Sequence, residues 1–298
     1  MKKFIIKILL FFLCIAVLDG LFGFAMQYMN DHSKGGGSKS RYYVCKESNE
    51  NVLIFGSSRA KHHYVPDIFE DTLGMTCYNA GEDGNGIILS YGFLKMISTR
   101  YSPKLIIYDV TGYDIYEDDN VKYLDMLKPF YHEPGIDSLF WRVEAKTRVM
   151  MLSNLYRYNT TCLRVIGNYI HPMVNYPKGY CALYRTMDYD PEIPFKKSGR
   201  IDTVKLGFFE DFIALANERG ITMVCSVSPS YKPQTDTSYY APIQQLCDKY
   251  NIVFLNNGED SDISNNKGFF QDASHMNDIG ASIFTSKLAK CIKSNLNS

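Results

Sequence analysis

The sequence predicts an α/β fold in three layers, with helices on both faces of a central parallel sheet. Two observations carry this expectation. Short apolar runs ended by Gly, Asn or Ser-Pro recur along the chain, as strands buried on both faces do. Patterns with one apolar helical face separate those runs, so strand and helix alternate. A third observation, the length of 298 residues, fits one such domain with insertions, or two small domains.

The chain opens with Lys2, Lys3 and Lys7 ahead of a mostly apolar run from Ile8 to Met26, broken by Asp19 and Gly20. Positive charge followed by a run of this length fits a cleaved signal peptide or an uncleaved anchor. Without a convincing small-x-small cleavage site, the anchor is the favoured reading, over residues 1–28. Asp19 weakens the span, because a carboxylate deep in a bilayer is costly. An anchor of this polarity places the rest of the chain outside the cytoplasm. That is the periplasmic face of the inner membrane in a Gram-negative cell. Residues 29–48 hold the run Ser33-Lys34-Gly35-Gly36-Gly37-Ser38, which reads as a flexible linker.

The main domain is expected over 49–298. Strands are predicted at 52–55, 76–78, 105–110, 222–227 and 252–255, with helices at about 87–99, 203–219, 243–250 and 278–294. Asn277 is the expected N-cap of the last. Between about 115 and 200 the alternation stops and Tyr, Asn and Arg accumulate. A structureless loop of that length is implausible in a compact domain, so an inserted helical subdomain is expected there, with one helix near 138–156.

Composition excludes some classes. Lys plus Arg equals Asp plus Glu at 32 each, and without a basic stripe a nucleic-acid partner has no electrostatic support. The cysteines are irregularly spaced and form no C-x-x-C pair, so no metal site is predicted. No cofactor is expected either. The run Gly81-Glu82-Asp83-Gly84-Asn85-Gly86 does not match a dinucleotide-binding turn. His62 and His63 read as solvent-facing, and the run Glu117-Asp118-Asp119 as a solvated loop.

The chemistry lies at strand ends. The first strand runs into Gly56-Ser57-Ser58-Arg59, a turn able to present a hydroxyl at the sheet edge. Far downstream, Asp272-Ala273-Ser274-His275 offers a base with a carboxylate three positions before it. A serine becomes a competent nucleophile when an imidazole takes its proton and a carboxylate fixes that imidazole's tautomer. Ser58, Asp272 and His275 are therefore the candidate catalytic residues. Ser57 is the rival nucleophile, with its hydroxyl expected in local hydrogen bonding. In open parallel sheets ligands bind at the carboxyl ends of the strands, where these groups fall.

Gly56-Ser57-Ser58-Arg59, Asn79-Ala80-Gly81 and Asp272-x-x-His275 together resemble the first, second and fifth sequence blocks of the SGNH (GDSL-like) hydrolases. The resemblance spans roughly residues 50 to 295 and is nearest to membrane-anchored bacterial members. It implies a flavodoxin-like sheet and a triad of Ser58, Asp272 and His275. It also implies an oxyanion hole built from the backbone N–H groups of Ser58 and Gly81. The family's third block normally adds an Asn side chain. Here the third strand ends Asp109-Val110-Thr111-Gly112, so Thr111, Asn154 or Asn159 are the candidate replacements. Arg59 is a further candidate for substrate contact. The implied activity is ester hydrolysis or acyl transfer on an acylated carbohydrate or another ester, such as O-acyl groups of envelope polysaccharide. Some relatives act beside a membrane-bound O-acyltransferase. A catalytically silent scaffold with the same fold is the alternative from another class.

Overall fold

The computed structural model describes residues 1–171, 176–193, 196, 198–236 and 238–296. In chain order the helices and strands begin with α1 (Lys2–Asp31), α2 (Gly36–Tyr42), β1 (Val52–Gly56), α3 (Ser58–His63), α4 (Pro66–Leu73) and β2 (Cys77–Asn79). Then come α5 (Ile87–Ser98), β3 (Leu105–Asp109), α6 (Asp137–Val143), α7 (Thr147–Met150), α8 (Asn154–Tyr158) and α9 (Cys162–Ile170). The chain closes with α10 (Thr203–Glu218), β4 (Thr222–Val227), α11 (Ala241–Lys249), β5 (Val253–Asn256), α12 (Ser261–Ser264) and α13 (Asp278–Leu296).

These elements divide into two units, Met1–Tyr43 with Leu124–Asn175, and Val44–Tyr123 with Tyr176–Ser298. The second unit has the predicted α/β architecture. Its five strands are all parallel, in the order β2-β1-β3-β4-β5, with β1 inside the sheet. Every residue of β1 and β3 is buried, which explains why their sequences are continuous apolar runs rather than alternating ones. Ala281, Phe284, Leu288 and Ile292 of α13 join Val52, Ile54, Ile107 and Val224 in one core. On the other side Phe212 of α10 meets Phe55 and Tyr108 edge-on, at 5.5 Å between ring centroids in each case. Asn277 caps α13 as expected, its Oδ1 accepting from Gly280 N at 3.1 Å. Helices thus cover both faces, and the strand ends carrying Gly56 and Asp109 lie side by side in register.

The first unit differs from the expectations in three places. Residues 29–48 are not an open spacer. α1 continues to Asp31, and α2 docks on α9, where Asn168 Nδ2 donates to the buried Ser38 Oγ at 3.0 Å. A Gly-Ser composition reads as coil only while nothing packs on it. The unit boundaries fall at Leu124 and Asn175 rather than near 115 and 200. Finally, the helix expected near 138–156 is three short ones, α6, α7 and α8. α1 is long and apolar enough to cross a membrane, with a mean hydropathy of 2.6 over its best 18-residue window.

Candidate active site

β1 ends in Gly56 at φ +140°, a conformation open mainly to glycine, and a Cβ there would lie 2.7 Å from the Asp109 carbonyl. The close approach lets the chain turn at once into α3. Ser57 is the N-cap of that helix, its Oγ accepting from Arg59 N. Its hydroxyl is used in local hydrogen bonding, as expected. Ser58 is the first helical residue, where backbone N–H groups have no intrahelical acceptor.

Ser58 Oγ lies 2.9 Å from His275 Nε2, although 217 residues separate them in sequence. His275 Nδ1 faces both oxygens of Asp272, at 3.1 and 3.0 Å. An ionised carboxylate only accepts, so Nδ1 carries the proton and Nε2 is left to accept from Ser58. Asp272 also receives the amides of Ser274 at 2.8 Å and His275 at 3.0 Å. Burial alone would raise its pKa; the His275 ring and these amides outweigh that and hold it below the usual carboxylate range.

A buried layer beneath this line fixes it. His63 Nε2 accepts from Met276 N at 2.9 Å, so its Nδ1–H donates to Ser228 Oγ at 2.9 Å. Burial first, and then the neighbouring Arg59 charge, keep His63 neutral, far below its ordinary pKa. Ser228 Oγ also accepts from Arg59 Nε and Nη2, each at 3.0 Å. Asp109, fully buried at the end of β3, accepts from Tyr64 OH at 2.6 Å and Ser228 N at 3.0 Å, with Arg59 Nε 3.9 Å away. The sequence reading placed both histidines in solvent, but His63 is fully buried and His62 nearly so.

His62 makes a different pair. Nδ1 meets the Cys181 carbonyl at 2.7 Å and Nε2 meets Asp83 Oδ1 at 3.2 Å. Both partners accept, which calls for the imidazolium. Burial opposes the charge, but these bonds prevail and push the pKa up to about 9. The ring stands edge-on to His275 at 5.6 Å between centroids. Because the folded state binds this proton more tightly than the unfolded chain, its stabilisation is complete below pH 6.5. It is lost as pH rises through 9. Thermal unfolding from pH 6.5 to 9.5 should show a decline on the order of 1–3 kcal/mol that His62→Gln removes.

The expected oxyanion donors fare unevenly. Ser58 N belongs to the first residue of α3. Gly81 N instead donates to Asn79 Oδ1 at 3.0 Å, because the Asn79 side chain folds back to bridge the carbonyls of Ala60 and Tyr64. Thr111 lines the cavity over Ser58, but its N–H and hydroxyl both donate to Asp114 Oδ2, at 2.8 and 3.1 Å. Asn154 and Asn159 belong to the other unit. There Asn154 Nδ2 donates to Asp19, and Asn159 Oδ1 accepts from Lys128. Neither lines the cavity. Arg59 does, but its bonds to Ser228 and its approach to Asp109 brace the buried layer. Asp118, read as part of a solvated loop, is bound by Lys205 at 2.7 Å and Lys122 at 2.9 Å.

The cavity holds about 460 Å³, and Tyr113, Tyr116, Tyr239 and Tyr240 form much of its wall. Tyr239 was missed by the sequence reading. Its hydroxyl packs so closely on Gly112 that a Cβ there would be 2.1 Å away, and it has no hydrogen-bonding partner among the described residues. Burial pushes this phenol up to about 12, so it keeps its proton as a donor. Gly112 lies three residues beyond the end of β3.

No family model matches this sequence, and no curated protein matches it either. Among solved structures it is similar to a GDSL-like lipase from Bacteroides thetaiotaomicron, at 13% identity, covering 82% of this chain and 88% of that one with a TM-score of 0.40. It is also similar to a candidate acylhydrolase from Bacteroides fragilis, at 13% identity, covering 83% and 90% with a TM-score of 0.38. A third is a candidate lipolytic protein of the G-D-S-L family from Desulfitobacterium hafniense, at 8% identity, covering 80% and 98% with a TM-score of 0.40.

Proposed function

We propose that this chain is a serine hydrolase of the SGNH type, cleaving or transferring acyl groups from oxygen esters. The observation that carries the reading is the continuous line from Ser58 Oγ through His275 to Asp272. In the first half-reaction His275 Nε2 takes the Ser58 proton while Oγ attacks the ester carbonyl. Asp272 stabilises the imidazolium so formed. The same imidazolium then protonates the departing alkoxide, leaving an acyl-serine. In the second half a water or a sugar hydroxyl gives its proton to His275 and attacks the acyl-serine, and Ser58 is regenerated.

Charge developing on the carbonyl oxygen needs preorganised donors. The Ser58 N–H is one. Tyr239 is the second in this reading, because its hydroxyl is unengaged and lies on Gly112 in the same cavity. Tyr239→Phe should lower kcat by about 10²–10³-fold with KM nearly unchanged. A change confined to KM would remove Tyr239 from the oxyanion site and leave it as a wall of the cavity.

The substrate class in this reading is O-acylated polysaccharide of the cell envelope. The tyrosine-lined cavity supports it, since aromatic faces suit sugar rings, and so does the apolar α1, which would hold the protein at a membrane. Lys2, Lys3 and Lys7 ahead of the span favour a cytoplasmic N-terminus and an extracytoplasmic catalytic unit. Release of acid from acylated envelope polysaccharide, set against transfer to a sugar acceptor, separates hydrolase from transferase. Protease digestion of intact spheroplasts tests the orientation: the catalytic unit should be cut, and its protection would reverse the topology.

A further inference from the structure

We infer that the helical unit enters the membrane surface itself, laying Val149, Leu152, Leu155 and Leu163 into lipid beside α1. The inference rests on the reading of α1 as a membrane span, and its own evidence is the docking of α8 on that helix. From Phe4 to Phe24, α1 rises about 30 Å, the thickness of a bilayer's hydrocarbon core. Its most apolar window has no residue buried against protein. Asp19 falls five residues before Phe24, about 7–8 Å inside that boundary.

A carboxylate facing lipid at that depth would be costly, and Asp19 does not face lipid. It accepts from Ser153 Oγ at 3.0 Å, Asn154 N at 2.8 Å, Asn154 Nδ2 at 3.0 Å and Leu155 N at 2.8 Å. Gly23, one turn on, makes the approach possible, since a Cβ there would lie 2.2 Å from Asn154 Cγ. Tyr158 OH then donates to Gln27 Oε1 at 2.7 Å, and Met26, Tyr158 and Val165 share a small core. The start of α8 is thereby tied to the depth of Asp19, within the apolar length of α1.

The side chains around α8 and at the start of α9 are unlike an ordinary wet surface. Leu152 and Leu163 are each 81% exposed, and Val149 and Leu155 are exposed beside them in sequence. α9 turns Val165 and Asn168 inward and leaves Leu163 outward. Trp141, the chain's one tryptophan, stacks under Arg148 at 4.9 Å, a pairing suited to the headgroup boundary. Lipid is the occupant that fits, because Asp19 fixes the start of α8, with Leu155 exposed on it, to a helix whose own apolar side chains are exposed.

The test uses the full chain in phosphatidylcholine–phosphatidylglycerol vesicles, with single-tryptophan reporters in a Trp141→Phe background. Leu155→Trp and Leu163→Trp should be quenched by brominated lipid nearly as well as Leu18→Trp, and weakly by acrylamide. An Ile201→Trp reporter on the sheet unit should show the reverse. In the unsubstituted chain, a lipid-phase photoreactive label should mark residues 149–163. If the protein floats with vesicles but Leu155→Trp and Leu163→Trp answer only to acrylamide, the inference fails while the anchor stands. Protection from both quenchers would assign the patch to a second copy and also overturn it. Loss of flotation would overturn the anchor reading and the inference with it.

Discussion

Replacing Ser58 by alanine is expected to lower kcat on a short-chain aryl ester by roughly 10⁴–10⁶-fold, the range seen when a triad nucleophile is lost. The fold should persist, because Ser58 Oγ makes its one described hydrogen bond to His275 and the residue is only partly buried, outside the apolar core. Unfolding temperature should therefore stay nearly unchanged. Ser57→Ala should behave in the opposite manner. That hydroxyl caps α3, so its loss should cost about 0.5–2 kcal/mol of stability and leave most of the activity. A result in which Ser57 rather than Ser58 controls turnover would mean that the turn presents the other hydroxyl.

The second large effect is expected at Asp272. Asp272→Asn keeps the shape but replaces an acceptor with a side chain that can donate to Nδ1. His275 would then favour the tautomer with its proton on Nε2, which cannot accept from Ser58. A loss of about 10⁴ in kcat is expected, with substrate binding little changed. Asp272 also accepts the amides of Ser274 and His275, so circular dichroism and unfolding of the variant must accompany the kinetics. A drop of less than tenfold, in a folded variant, would show that Asp272 does not set the tautomer.

Much of this site was legible because its parts are local. An apolar run ending in Gly-Ser-Ser shows where a buried strand stops and a turn begins. An Asp three residues before a His, ahead of an amphipathic helix, shows a base beside its carboxylate. The parallel sheet then brings the two together, as alternation of strand and helix implies. What escaped the sequence depends on competition among nearby groups. Gly81 N and the Thr111 hydroxyl looked free, but Asn79 and Asp114 claim them. His62 and His63 looked solvent-facing, yet His63 is buried against Ser228 and Met276, which lie far along the chain. Tyr239 becomes visible as a donor only when its loop is seen packed on Gly112. Asp19 looked like a flaw in an apolar span, and its partners are 134 to 136 residues away. Short helices such as α7 and α8 carry too few turns to show a period.

The central claim is that Ser58 is an activated nucleophile. A fluorophosphonate probe, followed by intact mass measurement and peptide mapping, tests it most directly. One adduct per chain is predicted, located on Ser58, lost in Ser58→Ala and strongly reduced in His275→Ala, with Ser57→Ala still labelled. A folded protein that takes no adduct, or one labelled on Ser57, would contradict the account.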